Sequence, residues 1–145
     1  MTRRKRLFVA AIAIATIGSA LTLLQRDNSV TEEVTTFNGI TAEYRGNGPC
    51  EVIVDLGYVA PSTTVTETIR LTNGSDSPIV LLDYSTQCRC MWLEFNRGVV
   101  AENESIDIVL SFDSRGEWGS VGNYMEIATS CDDAPVVLWI GAEVE

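Results

Sequence analysis

From residue 50 to the end, the chain is a succession of short β-type runs, each cut off by turn residues. Glu51–Val59 stops at Pro61-Ser62, Thr64–Thr72 at Asn73-Gly74-Ser75-Asp76, and Pro78–Ser85 leads into Cys88-Arg89-Cys90. Met91–Phe95 stops at Asn96-Arg97-Gly98 and Glu104–Phe112 at Asp113-Ser114-Arg115-Gly116. Val121–Thr129 stops at Cys131-Asp132-Asp133, and Pro135–Glu143 closes the chain. Seven such runs at intervals of roughly 8–14 residues, with no helical periodicity between them, predict an all-β antiparallel sandwich. A parallel sheet would need crossover segments of about a dozen residues or more, usually helical, and the turns leave no room for them.

The alternation assigns faces. Ile106, Ile108, Leu110 and Phe112 are expected inside, with Ser105, Asp107, Val109 and Ser111 outside. Val65, Ile69 and Leu71 alternate in the same way with Thr66, Thr68, Arg70 and Thr72. The last run departs from this pattern, since Val136, Leu138 and Ile140 share one face while Val137 and Trp139 occupy the other. Two readings follow for that second face. Either a neighbouring loop or the Val34–Tyr44 segment covers it, the reading favoured here, or Val137 and Trp139 form an apolar patch that meets a partner.

Upstream of the β region, Arg3, Arg4, Lys5 and Arg6 precede an uncharged run, Leu7–Leu24. As a signal peptide it has a basic start, an apolar centre and the small residues Gly18 and Ala20 at a cleavage site. As an anchor helix it reaches the length needed to cross a membrane, on the order of 17–25 residues. Either way the basic cluster stays inside and residues 28–145 are expected outside the cytoplasm. The expected organisation is a signal or anchor at 1–24, a polar spacer at 25–48 with an extra strand within Val34–Tyr44, and the sandwich at 49–145.

Charge and composition exclude several functions. Residues 28–145 carry 5 arginines, no lysine and 19 acids, a net charge of −14. That balance excludes nucleic acid as a partner and leaves membrane contact to residues 7–24 alone. The chain contains no histidine, which rules out Ser-His-Asp and Cys-His catalysis and imidazole metal sites. Asp132-Asp133 reads as a solvated turn pair rather than a catalytic dyad. Trp92, Trp118 and Trp139 read as packing residues at strand ends. The sequons at Asn73 and Asn103 read as turns, in which asparagine tolerates unusual backbone angles.

Several segments together resemble one bacterial family, domain of unknown function 1573. Asp55-Leu56-Gly57-Tyr58-Val59 resembles its D-F-G-x-V opening, Leu71-Thr72-Asn73-Gly74 its L-x-N-x-G strand end, and Ser77–Leu81 its x-P-L-x-I element. Ser85–Cys90 resembles the signature x-x-S-C-G-C-T, with Gln87 and Arg89 in place of Ser and Gly. Glu104–Asp113 and Gly119–Thr129 are similar to its P-G-E-S-x-x-I-x-V-x-F-D and G-x-x-x-x-x-I-x-V-x-T strands, with Ala101-Glu102-Asn103 replacing the Pro-Gly turn. The resemblance runs from about residue 51 to 144. It implies an immunoglobulin-like sandwich exported by bacteria, related to the domains of ciliary and sperm-type structural proteins, and it supplies no activity.

Four cysteines allow three pairings, and the sequence alone does not choose among them. Immunoglobulin-type wiring, if assumed, sets Cys50 near Cys131, with Cys88 and Cys90 at the opposite end, about 20 Å away. Because a disulfide needs Cα atoms within about 7 Å, a Cys50–Cys131 bridge is expected. By the chain-entropy model, closing a loop of about 80 residues would add on the order of 4 kcal/mol. Cys88 and Cys90, two positions apart, could then form a strained disulfide, hold Cu(I) through two thiolates, or exchange with other thiols. The plainer reading makes them small apolar side chains or one more structural bridge.

The expected function is therefore an exported, non-catalytic binding or scaffold module of the bacterial envelope, without a cofactor. Its partner would be an envelope protein or polysaccharide. The alternative is a periplasmic thiol-redox or Cu(I)-binding protein acting through Cys88 and Cys90. A reporter enzyme that is active only outside the cytoplasm, fused after Glu145, is expected to be active. Activity confined to a cytoplasm-specific reporter at the same position would refute export.

Overall fold

The computed structural model describes residues 37–145, and the signal or anchor segment Leu7–Leu24 lies outside the described residues. Phe37–Glu145 form one compact unit. Its strands are β1 (Ile40–Tyr44), β2 (Cys50–Val59), β3 (Thr64–Asn73), β4 (Ile79–Thr86) and β5 (Met91–Phe95). They are followed by β6 (Val99–Val100), β7 (Ser105–Asp113), β8 (Gly119–Thr129) and β9 (Val136–Val144). One sheet has the order β1-β3-β7-β5 and the other β2-β9-β8-β4-β6. No helix occurs among the described residues.

All seven expected strands are present, the extra strand expected within Val34–Tyr44 is β1, and the structure adds only the two-residue β6. Two edge pairs are parallel, β1 with β3 and β2 with β9, which corrects the expectation of a wholly antiparallel sandwich. No helix is needed because the connections are made by other strands. β2 lies in the opposite sheet between β1 and β3, and the whole domain separates β2 from β9. The strand in the spacer is thus an integral part of the sandwich.

The core forms where the two inner faces meet. Ile69, Leu71, Ile108, Leu110 and Phe112 from one sheet and Val54, Leu81, Met125, Ile127 and Leu138 from the other are fully buried. The inward set of β7 is as the alternation predicts, with one correction on its outer side. Ser111 is 5% exposed, because it sits on a central strand between Thr66 and the larger Trp92 in register.

Buried polar groups stitch the turns to this core. Asn73 is fully buried. Its side-chain amide donates to the carbonyls of Ser77 and Val100 at 2.9 and 3.0 Å, and its oxygen accepts the Ser75 N–H at 3.0 Å. It is a turn plug, with no surface for a glycan. At the other end of the sandwich, the buried Ser114 hydroxyl donates to the Ala60 carbonyl at 2.7 Å and accepts the Thr63 N–H at 2.9 Å. Asn103 has φ +64°, so asparagine fills the left-handed turn position as its local hydrogen-bonding side chain allows.

Removing a buried amide leaves its partners without hydrogen bonds, at a cost near 1–3 kcal/mol. Asn73→Ala is therefore expected to lower stability by about 2–3 kcal/mol in urea denaturation, whereas Thr66→Ala on the exposed side should stay within about 0.5 kcal/mol. Equal, small effects from both would refute the plug.

Candidate functional site

The outer face of the five-stranded sheet carries a trough. Register places Ile53, Trp139 and Tyr124 in one row across β2, β9 and β8, and the Tyr124 and Trp139 rings pack 5.1 Å apart. The next outward row contains Asp55, Gly141 and Gly122. A Cβ built on either glycine meets nothing within 4 Å, so two glycines leave the floor open. The resulting hollow, of about 550 Å³, is lined by Ile53, Asp55, Gly57, Tyr58, Ser120 and Glu143 among others.

A β-bulge shapes its rim. The pairing of β2 with β9 shifts register between Asp55 and Tyr58. Gly57 has φ +64° and donates its N–H to the Asp55 carboxylate at 2.8 Å. Glycine adopts that backbone without a steric penalty, and the extra residue re-aims the strand. The segment Asp55-Leu56-Gly57-Tyr58 thus directs Tyr58 into solvent, where it is 80% exposed, and Ile53, which lines the same hollow, is 78% exposed. The favoured cover of this face by the Val34–Tyr44 segment is not made, since β1 lies in the other sheet, and the alternative patch of Val137 and Trp139 is redrawn. Val137 is 5% exposed, between Glu51 and Glu126 in register, while Trp139 is 47% exposed. Ile53 and Tyr58, which join Trp139, are missed in the sequence because their exposure follows from the bulge and from β2 lying at the sheet edge. Of the other tryptophans, Trp92 is half-buried but Trp118 is 73% exposed, so Trp118 is not a packing residue.

A second hollow lies at the end of the sandwich where β4, β5, β7 and β8 begin or stop. Cys88, Arg89, Cys90, Asp113, Arg115 and Glu117 line a dish of about 550 Å³. Cys88 and Cys90 are joined by a disulfide with a Cα–Cα distance of 5.1 Å. The Cys88 sulfur accepts the Cys90 N–H at 3.0 Å, and the Asp113 N–H donates to the Cys90 carbonyl at 2.8 Å. A Glu117 carboxylate oxygen and the two sulfurs all lie within 4.8 Å of one another. Sulfurs bonded to each other offer no thiolates, so this set could hold Cu(I) only after reduction. Arg115 Nε donates to Asp113 at 2.8 Å and holds the Asp113 carboxyl below the usual carboxylate range.

Cys50 and Cys131 lie at the opposite end, beyond the eleven residues of β8, but they are free thiols. The bridge expected between them is not made. The Cys50 sulfur turns to the Glu43 carbonyl at 3.5 Å and the Cys131 sulfur to the Gly46 carbonyl at 3.9 Å. The segment that receives both is the β1 end and turn that the sequence presents as spacer. There Tyr44 is fully buried, and its hydroxyl donates to the Ala134 carbonyl at 2.8 Å beside Thr129. Burial pushes the Cys50 thiol up, and burial is also the main cause that raises the Tyr44 phenol. Asp132 and Asp133 are exposed in the β8–β9 turn.

A family model described as "Protein of unknown function (DUF1573)" matches residues 50–144. The chain belongs to that family. No curated protein matches it in sequence. Among solved structures, a protein of unknown function from Porphyromonas gingivalis W83 is similar at TM-score 0.57 and 15% identity, with 77% of this chain and 51% of that one covered. The VesB protease of Vibrio cholerae is similar at TM-score 0.54 and 12% identity, over 64% of this chain and 30% of that one. The chain therefore spans about half the length of the first and under a third of the second, and the likeness is one of fold.

The Arg115–Asp113 pair gives a signed pH dependence. Because the folded carboxyl titrates below its ordinary value of about 4, the pair stabilises above that value and is lost as pH falls through the folded one. Wild type should therefore lose more thermal stability than Arg115→Ala between pH 5 and pH 2.5. Parallel melting curves for the two would refute the pair's contribution.

Proposed function

We propose that this chain is an exported, non-catalytic binding module of immunoglobulin type that holds another component of the bacterial envelope in the β2–β9–β8 trough. The observation that carries this reading is that exposed Ile53 and Tyr58 line a hollow with an open glycine floor, with exposed Trp139 opposite Ile53 in register. Large apolar groups that an isolated domain would bury stand instead around a concave surface, which is how protein surfaces meet partners. The acidic rim of Asp55 and Glu143 favours a neutral or basic region of an envelope protein or polysaccharide.

The strand order supports the immunoglobulin assignment. Without β1 and β6, three strands in the order β3-β7-β5 face four in the order β2-β9-β8-β4, the two-sheet division of that fold with its first strand moved beside the last. The lack of histidine, and the exposure of the adjacent pair Asp132-Asp133 in a turn, support a role without catalysis. The basic cluster and apolar run at the N-terminus support export to the periplasmic side, either anchored or released.

Cross-linking in intact cells tests the reading on the full chain. Ile53→Ser with Tyr58→Ser should reduce a cross-linked product by at least about 10-fold while leaving the circular dichroism spectrum unchanged. Undiminished cross-linking by this folded variant would overturn the role of the trough.

A further inference from the structure

The dish at the opposite end from the free thiols has features that a purely structural bridge does not need. We propose that Cys88–Cys90 is a thiol–disulfide exchange site that accepts two electrons from a dithiol of an exported partner protein. A bridge between residues two apart removes little entropy from the unfolded chain, so fold stability gives it no purpose. Cys90 only skirts the core and Cys88 is not part of it. Both sulfur-bearing residues line an open hollow that a partner's thiol can enter.

The surroundings distinguish the two sulfurs. Cys88 accepts the Cys90 N–H at 3.0 Å, which stabilises a thiolate at Cys88. Arg45, Arg70, Arg97 and Arg115 each pair with an acid. Arg89 is the one arginine among the described residues that does not, and its exposed side chain lines the same dish. A free cation there favours the thiolate that opening of the bridge releases. The better-stabilised thiolate leaves faster, so Cys90 is the sulfur attacked and Cys88 the one released.

In the first step a partner thiolate attacks Cys90 Sγ. A new S–S bond forms, the Cys88–Cys90 bond breaks, and its electron pair leaves on Cys88 as a thiolate. The partner's second thiol then loses its proton and attacks the partner sulfur of the mixed disulfide, releasing Cys90 as a thiolate. Glu117, within 4.8 Å of both sulfurs, is placed to take that proton through one water and return it to Cys90. Cys88 takes up from solvent the proton that the partner's first thiol gave to solvent on becoming a thiolate, so the partner's dithiol is oxidised to a disulfide and Cys88 and Cys90 become a dithiol, with two electrons and two protons transferred.

Reduced glutathione serves as the probe on the full, folded chain. Timed acid quenching, alkylation and peptide mapping keep this pair distinct from Cys50 and Cys131. Glutathione should appear on Cys90 with Cys88 free, and the reaction should run to completion without denaturant. Arg89→Ala should slow the opening by about 5- to 10-fold with an unchanged melting temperature, and Glu117→Gln should slow release from the mixed disulfide. In Cys88→Ser, oxidised glutathione should leave a lasting adduct on Cys90. Opening only under denaturing conditions would make the bridge structural and overturn the proposal. An adduct on Cys88 would overturn the assignment of the two sulfurs, and an Arg89→Ala rate equal to wild type would overturn the part given to Arg89.

Discussion

The whole arrangement depends on the burial of alternate residues of β7 between its two neighbours and the opposing sheet. Ile106, Ile108, Leu110 and Phe112 leave water together, each fully buried aliphatic or aromatic side chain contributing roughly 1.5–3 kcal/mol. Because the side-chain period is two, slipping β3 or β5 by one residue would turn an apolar row outward. The pairings Ile69 with Ile108 and Leu93 with Leu110 are held by that cost. With the registers set, the turns at both ends have little freedom. Asn73, Ser114 and Thr129 complete them from inside, and no buried side-chain polar atom among the described residues lacks a partner.

Both hollows are consequences of this frame. The trough exists because the outward row across β2, β9 and β8 has glycine at two of its three positions, while a bulge adds Tyr58 to one rim. The dish exists because the turn after β4 and the turn after β7 meet at one end, joined by the hydrogen bond from Asp113 to Cys90. The two hollows draw on different residues and differ in character. One is apolar with an acidic edge, and the other combines two sulfurs with charged groups of both signs.

Charge sharpens this contrast. Residues 37–145 hold 17 acids against 5 arginines, and four of the arginines are spent in ion pairs with neighbouring acids. Exposed pairs of this kind contribute little to stability. Their larger effect is on the surface, where they leave a largely negative field around residues 37–145. Arg89 interrupts that field beside the cysteine pair. Arg70 combines two roles, pairing with Asp107 at 2.7 Å and lying 3.9 Å under the Phe37 ring, which ties the entry of the chain to the face of β3.

Much of the fold was legible in the residues alone. Alternating apolar positions and turn clusters carry the strands, and the motif segments carry the family, because both depend on local chemistry. The parallel edge pairs were hidden, since which strands become neighbours depends on contacts distant in the chain. So was the buried state of Ser111, which is covered by Trp92 from another strand. The same physics separates the sites. Cys88 and Cys90 stand out by spacing, and their pairing needs only local geometry. The states of Cys50 and Cys131 depend on where Glu43 and Gly46 come to rest, and the trough depends on three strands brought into register. What the sequence by itself determined is what neighbouring residues do to one another through period, turn and spacing. The tertiary structure alone decided what faces solvent, because exposure is a property of the strands packed around a residue.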